Sequence, residues 1–101
     1  MSAVTDSIIA AFDALQETYS LTEYADSCAV GVWTDDPADP GVTAVVFQGK
    51  LFSLVIPDSY LQLDGPTLSD IINAVIINAY IEWDSDRGRI LREEHEARKQ
   101  R

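Results

Sequence analysis

Cysteine and histidine, which build disulfide scaffolds and many catalytic sites, occur only once each in this 101-residue chain. A single Cys28 cannot form an intrachain disulfide, so a scaffold built on disulfides is excluded. His95 lies in a charged C-terminal segment, where a nucleophile and its base are not readily assembled around a core. The chain also lacks a phosphate-binding loop, a dinucleotide fingerprint and a zinc-ligand motif. We therefore expect a non-enzymatic protein without a cofactor.

Positive charge is nearly absent from the first 86 residues, which contain fourteen acids and one base, Lys50. Residues 87–101 contain six bases interleaved with three glutamates, and the whole chain has a net charge of −10. The acidic body repels nucleic-acid phosphates, so DNA is disfavoured as a partner and only the basic tail supports it as an alternative. The nucleic-acid-binding residues of this alternative are Arg87, Arg89, Arg92, Arg98, Lys99 and Arg101.

Long uninterrupted apolar runs are also missing. The N-terminal residues contain no basic region, and Asp6 and Asp13 interrupt the apolar positions there, which argues against a signal peptide. The isoleucine-rich segment of residues 68–83 contains Asp70 and Glu82, which are costly in a bilayer. We expect a cytoplasmic protein with no membrane partner.

Aspartates cluster at two places, but neither cluster has the ligand spacing of a metal site. Residues 84–88 begin like a calcium loop, yet Gly88 occupies the third ligand position and the terminal glutamate spacing fails. Asp35, Asp36 and Asp39 share a segment with two prolines and a glycine, which is typical of a solvated turn. No metal site is expected.

Periodicity predicts a helix followed by three strands. Residues 2–19 form an amphipathic helix with apolar residues three or four positions apart, and its end is open between residues 20 and 26. Segments 28–34, 42–48 and 51–56 are rich in β-branched and aromatic residues and predict strands, the first with Cys28 as a small buried residue. The apolar residues of the helix are Val4, Ile8, Phe12, Leu15 and Tyr19.

The connections and faces of the strands can also be predicted. The tight turn between the second and third strands is interpreted as Gly49-Lys50, because glycine tolerates the positive φ that such turns need. Apolar residues alternate poorly in these two strands. We therefore expect the sheet to be covered on both faces.

The segment from Pro66 to Trp83 predicts a helix with apolar side chains around most of its circumference. Pro66 suits its first turn, and Thr67 with Asp70 fits a capping pattern. The sheet can cover only one side of this helix, so the other side predicts an interface with a second chain. The predicted interface residues are Leu68, Ile71, Ile72, Val75, Ile76, Ile77, Tyr80, Ile81 and Trp83.

Trp83 is expected to end the buried part of this helix, with its indole N–H reaching outward at the edge of the interface. Residues 84–101 follow as a charged tail that is either helical or frayed and lies in solvent. Helix, three-stranded antiparallel meander and long C-terminal helix together predict one α+β domain over residues 1–101.

This order of elements, together with residues 41–57 and 66–79, resembles the YbaB/EbfC nucleoid-associated family. The resemblance rests on Gly41 at the start of the hairpin, Gly49 in its turn, Pro66 before the second helix, and the Ile/Ala/Val-rich run 71–79. It implies a small dimer whose helices project from a joined β body, and DNA binding in bacterial members. Some actinobacterial relatives are acidic accessory proteins associated with type VII secretion loci.

Two features bring the chain closer to the secretion-associated relatives than to the DNA-binding members. Its first helix contains no Lys or Arg, and its first loop is rich in aspartate. We expect a homodimer, or a heterodimer with a related chain, that works as a protein–protein interaction module with a further protein partner. A nucleoid-associated DNA-binding dimer is the alternative. A small-molecule pocket between sheet and helix is a third hypothesis, and for it the sequence offers only Asn73, Asn78 and Tyr80.

Overall fold

The predicted order of elements is confirmed: along the chain, three strands lie between two long helices. A computed structural model describes residues 3–100, so the predicted helix start at Ser2 and the base Arg101 lie outside the described residues. The elements are α1 (Ala3–Cys28), β1 (Val30–Thr34), β2 (Thr43–Phe47), β3 (Lys50–Val55), a short 3₁₀ helix (Asp58–Gln62) and α2 (Gly65–Lys99). The described chain is therefore α+β.

The sheet is an antiparallel meander in the order β1-β2-β3. Val45 of β2 pairs with Val32 of β1 and Ser53 of β3, while Val46 pairs with Leu51, so Phe52 is one extra residue in β3. The turn consists of Gln48 and Gly49, both at positive φ (55° and 75°), which matches a two-residue primed turn. The predicted turn at Gly49-Lys50 is wrong by one residue.

The core lies between α2 and one face of the sheet. Val42, Ala44 and Val46 from the sheet side are buried against Val75 and Ala79 of α2. The side chains packed around this core are Leu54, Ile56, Tyr60, Ile71, Ile72, Ile76 and Trp83.

A glycine in β1 allows α2 to approach the sheet closely. A Cβ at Gly31 would overlap the carbonyl oxygen of Ala79 and the backbone nitrogen of Trp83. Alanines at positions 44 and 79 add little volume between the two layers, so the backbone of α2 runs almost directly against β1.

Asp64 caps the start of α2. Its carboxylate accepts hydrogen bonds from the backbone N–H of Thr67 at 3.1 Å and from the Thr67 hydroxyl at 2.7 Å. These two hydrogen bonds lower the pKa of Asp64 below its ordinary value. The predicted cap of Thr67 with Asp70 is therefore wrong. The helix begins at Gly65, and the residue just before it, Asp64, accepts the hydrogen bonds of its first turn.

The helix α2 continues past Trp83 to Lys99 without a break at Gly88. Beyond Trp83 it packs against the C-terminal half of α1, where Ala25 is buried, and Arg87 forms an ion pair with Asp26. A second ion pair joins Arg98 to Glu17 at 2.9 Å. The buried residues of α2, Val75 and Ala79, do lie before Trp83, but the expectation that the tail lies in solvent is wrong, because it packs against α1.

The tail of α2 packs on α1 because α1 is longer than predicted and extends to Cys28. Cys28 ends this helix and is exposed, so its predicted place as a buried strand residue is also wrong. The antiparallel pair formed by α1 and residues 84–99 of α2 is named the helical arm. Asp86 links the arm to the sheet, because its carboxylate accepts a hydrogen bond from the Val30 N–H at 3.0 Å. That hydrogen bond is the main cause that lowers the pKa of Asp86.

The N-terminal half of α1 extends beyond the end of α2. Glu17 lies opposite Arg98, so residues 3–16 run on for about 21 Å at about 1.5 Å per residue. The longest dimension of the molecule is accordingly 72 Å. No helix within residues 3–100 is both long and apolar enough to span a bilayer.

The close approach at Gly31 generates a stability prediction. Gly31→Ala is expected to lower the free energy of unfolding by about 3 kcal/mol or more, because the overlapping atoms belong to the helix backbone and cannot turn aside. Unfolding in urea followed by circular dichroism measures this change.

Gly88→Ala is the matched control. This glycine lies inside α2, and an added Cβ would meet only the flexible end of Arg92 at 3.5 Å. The control is expected to raise stability by about 0.5–1 kcal/mol, because alanine favours a helix interior. Equal effects of the two substitutions would contradict the close packing of α2 on β1.

Candidate interaction surfaces

The sheet has an apolar face that no described helix covers. Residues that alternate with the buried core positions of β1 and β2 point away from α2, and the extra residue Phe52 reaches the same side, where its ring contacts Phe47 edge to face at 6.2 Å. The side chain of Phe52 is 73% exposed. We name this surface the outer sheet face; its apolar residues are Val30, Val32, Val45, Phe47, Phe52 and Val55.

The outer sheet face carries no acid, although the chain has a net charge of −10. Its polar members are the hydroxyl residues Thr34, Thr43 and Ser53, and the exposed Lys50, which pairs with Phe47 at the end of β3. Contiguous exposed apolar surface of this kind typically marks a site of interaction with another protein or a ligand.

A second uncovered apolar surface runs along α1. It contains the five residues whose spacing predicts an amphipathic helix, and we name it the α1 stripe: Val4, Ile8, Phe12, Leu15 and Tyr19. Phe12 is 63% exposed and Tyr19 is 67% exposed. The stripe lies about a quarter turn around α1 from Ala25, which faces α2, since successive helical residues are about 100° apart.

The predicted interface on α2 is divided by the fold. Val75 is buried against the chain's own sheet, and Leu68, at the start of the helix, is half-buried. Of the remaining residues, Ile77, Tyr80 and Ile81 are the exposed ones, with Ile77 at 59%. The predicted residues that pack around the intramolecular core are Ile71, Ile72, Ile76 and Trp83.

Trp83 does not direct its N–H to solvent as expected. The indole Nε1 is buried, and it has no hydrogen-bond partner among the described residues. The ring lies beside the hairpin turn at Gly49, and the guanidinium of Arg87 sits 6.0 Å from the ring centroid. Trp83 therefore joins the turn, the sheet and the helical arm.

The cations predicted for nucleic-acid binding are mostly engaged in ion pairs. Arg89 binds Asp86 at 2.7 Å and Glu93 at 2.8 Å, and Lys99 lies 3.6 Å from Glu96. Arg87 and Arg98 form the two ion pairs of the helical arm. Arg92 makes no ion pair with any described residue. The positive charge of the tail is thus largely balanced by neighbouring acids.

Among residues 3–100, no group of three or more His, Cys, Asp or Glu side chains is arranged to hold a metal ion. His95 borders an open groove beside Glu17 and Arg98, far along the chain from Cys28 at the other end of α1. Asn78 donates a hydrogen bond to the Ala74 carbonyl of its own helix.

The aspartate-rich loop has one defined contact. The hydroxyl of Tyr60 donates a hydrogen bond to the carboxylate of Asp35 at 2.6 Å, across Gly41, where a Cβ would overlap both side chains. This hydrogen bond is the main cause that raises the pKa of Tyr60 to about 12 from its ordinary 10.0, with the charges of Asp36 and Asp39 adding to it. The contact ties the loop after β1 to the 3₁₀ helix.

The two uncovered surfaces had signals in the sequence that were only partly used. The spacing of the α1 stripe predicts an apolar face, but it does not indicate what covers that face. The poor alternation of β2 and β3 predicts cover on both faces of the sheet, which the described chain supplies on one face only.

Comparisons with protein-family models, with curated proteins and with solved structures gave no match for this chain.

The contact between Tyr60 and Asp35 predicts a pH dependence. Because the pKa of Tyr60 is higher in the folded chain than the ordinary value, its stabilising hydrogen bond is complete below pH 10 and is lost as the pH rises toward about 12. Ultraviolet absorbance should show one of the four tyrosines ionising near pH 12, and Tyr60→Phe should remove that transition. A tyrosine absorbance change that is complete well below pH 12 would contradict the contact.

Proposed function

We propose that this chain is a non-enzymatic, dimeric protein–protein interaction module of the YbaB/EbfC type. The observation that carries the proposal is that the chain leaves two separate apolar surfaces uncovered, the outer sheet face and the α1 stripe. Val4 lies about 36 Å along α1 from Cys28, next to the sheet, so no single small contact covers both surfaces. One surface serves self-association, and the other serves a different protein.

The outer sheet face is the surface that we assign to a protein partner. Its one charged residue is Lys50, at the turn end of β3, so its partner presents a mainly apolar surface, and their association depends little on salt. Aromatic residues dominate the binding energy of many interfaces, and Phe52 is the most exposed large apolar residue of this face.

The charge of the chain supports a role among proteins. The net charge is −10, and α1 contains five acids and no base. By resemblance, an acidic chain of this order of elements is closest to the accessory proteins associated with type VII secretion loci, and we propose the same class of role, in the cytoplasm.

The alternative of a nucleoid-associated DNA-binding dimer has one observation in its favour, the six bases between Arg87 and Arg101. Within the described residues, however, four of these cations are held in ion pairs with acids. Each pair must be broken or shared before the cation can neutralise a phosphate, so DNA remains the weaker proposal.

Oligomeric mass and partner capture test the module together. Light scattering is expected to give about twice the chain mass of 11.2 kDa. Phe52→Asp is expected to keep that mass and to lose partner proteins that the tagged wild-type chain captures from its native host, because the most exposed apolar side chain of the face is replaced by a charge.

Leu61→Asp is the matched control, because Leu61 is also exposed but belongs to the 3₁₀ helix, outside both surfaces. It is expected to behave like the wild type in both measurements. A monomeric wild type would refute the dimer, and equal capture by the two variants would refute the outer sheet face as the partner site.

The DNA alternative is tested by a salt titration with a fluorescent duplex. We expect no binding at physiological ionic strength, because the acidic body repels the duplex and the cations are paired. Binding that weakens steeply with added salt and is lost in Arg92→Glu, the variant that removes the cation without a described ion pair, would favour the alternative instead.

A further inference from the structure

Strand β1 is an open edge of the sheet. In the order β1-β2-β3 it has a neighbouring strand on one side only. Asp35, which follows β1, donates its N–H to the Val42 carbonyl at 3.1 Å, so the odd-numbered residues of β1 turn their backbone groups toward β2. The N–H and C=O groups of Val30, Val32 and Thr34 therefore point away from the sheet.

Only one of these outward backbone groups has a partner within residues 3–100. The N–H of Val30 donates a hydrogen bond to the carboxylate of Asp86, which agrees with the alternation along β1. The carbonyl of Val30 and both backbone groups of Val32 and Thr34 have no partner in the described part of the chain. An unpaired strand backbone is a template for another extended chain, because only an extended backbone presents donors and acceptors at the matching spacing.

The opposite edge of the sheet is protected against such pairing. The extra residue Phe52 makes a bulge in β3, Lys50 begins this strand, and Pro57 follows it closely. Bulges, lysines and prolines are the features that keep an edge strand from pairing with another chain. The five residues of β1 include no bulge, proline or charge. The two edges therefore differ, and β1 is the one that can accept a further strand.

Helix α2 forms a second wall beside this edge. Asp86 contacts Val30, whereas Gly31 lies against the backbone of Ala79 and Trp83, so α2 runs along β1 in the opposite direction. A groove of about 420 Å³ lies between the two elements. Its strand side is formed by Val30 and Val32, and its helix side includes Glu82, Ser85, Arg89 and Arg92.

The two walls have matching lengths. Residues 30–34 of β1 extend for about 13 Å at about 3.3 Å per residue. The helix side, from Glu82 to Arg92, extends for about 15 Å at about 1.5 Å per residue. The groove thus has room for a short extended segment along the whole of β1.

Charge sets the direction of that segment. Arg89 and Arg92 lie beyond the Val30 end of β1, and Arg92 makes no ion pair with any described residue. A strand added antiparallel to β1 ends its run at Val30, so an acidic residue or a terminal carboxylate that follows it reaches Arg92. A parallel strand would bring its amino end to the same arginine.

The side chains of β1 set the pattern of the segment. Val30 and Val32 are 41% and 52% exposed, at the margin of the outer sheet face. Every second side chain of an added strand lies beside these valines, so apolar residues at alternate positions extend the outer sheet face by one strand. The side chains between them face the polar wall of α2.

We infer that the groove between β1 and α2 binds an extended segment of a partner protein, added antiparallel to β1, with apolar residues at alternate positions and an acidic group at Arg92. The inference rests on the proposed binding of a protein partner and states how part of that partner binds. It leaves β3 and the α1 stripe available for self-association, so it is compatible with a dimer that has a joined β body.

Peptide selection on the wild-type chain tests the inference. A library of random short peptides with free C-termini, displayed on phage, is selected against the immobilised full chain. The enriched peptides are expected to have β-branched residues at alternate positions and an acid at or near the C-terminus. No enrichment over a surface without the chain would overturn the inference.

Methylation of the peptide backbone tests strand pairing directly. One enriched peptide is synthesised with a single N-methyl group at each successive residue. Methylation is expected to weaken binding by about tenfold or more at every second residue, where the N–H faces β1, and to have little effect between them. Equal effects at all positions would overturn the inference.

The matched variants on the protein are Val32→Pro and Val32→Thr. The proline removes an outward N–H without removing a bond to β2, whereas threonine keeps the N–H and favours a strand. Binding of the enriched peptide is expected to fall by about tenfold or more in Val32→Pro and to change little in Val32→Thr. Equal binding by two variants with the wild-type circular dichroism spectrum would overturn backbone pairing.

The acidic group is tested by Arg92→Glu, with Lys99→Glu as its control. Both variants make the same change in net charge, but Lys99 lies at the far end of α2 from β1. Arg92→Glu is expected to weaken the enriched peptide by about tenfold, and Lys99→Glu to leave it unchanged. The same affinity in both variants would overturn the predicted direction of the strand.

Partner capture separates failure of this inference from failure of the proposed function. Partners that Val32→Pro retains and Phe52→Asp loses would bind the outer sheet face without adding a strand, which overturns the inference alone. Partners retained by both variants would overturn the outer sheet face as well. A wild-type dimer that becomes monomeric in Val32→Pro would mean that β1 of a second copy occupies the groove, which also overturns the inference.

Discussion

The contact between the backbone of α2 and strand β1 is the constraint on which the rest of the structure depends. Gly31 provides the space for it, and Ala44 and Ala79 keep the two layers close. With α2 held there, Trp83 reaches the hairpin turn, and Asp86 reaches the edge of β1. The direction of α2 beyond the sheet, and with it the helical arm, follows from this one close approach.

The elements that could be predicted from the sequence are those that follow from local periodicity. The α1 stripe, the three strands and the apolar run around Val75 each have a pattern that a single segment carries. The limits of the helices could not be predicted in the same way. The cap depends on Asp64, two positions before the predicted helix, and the extension of α2 depends on contacts such as Glu17 with Arg98, which are 81 positions apart.

The interaction surfaces illustrate the same limit in a different form. A helix with apolar residues on most sides, as in residues 68–83, predicts that it is buried but does not identify what covers each side. The fold assigns Val75 to the chain's own sheet and leaves Ile77 exposed. For α1 the periodicity predicts an apolar face but does not identify its neighbour, and the segment before Glu17 passes beyond every described element that could cover it.

The helical arm joins the first helix of the chain to the last, and this has a consequence for synthesis. During translation α1 leaves the ribosome well before the residues that pair with it, since Arg87 follows Asp26 by 61 positions and Arg98 follows Glu17 by 81. Until then both its α2-facing side and its apolar stripe are bare, a state in which nascent chains tend to aggregate. Its five acids and lack of any base keep neighbouring nascent chains apart during that interval.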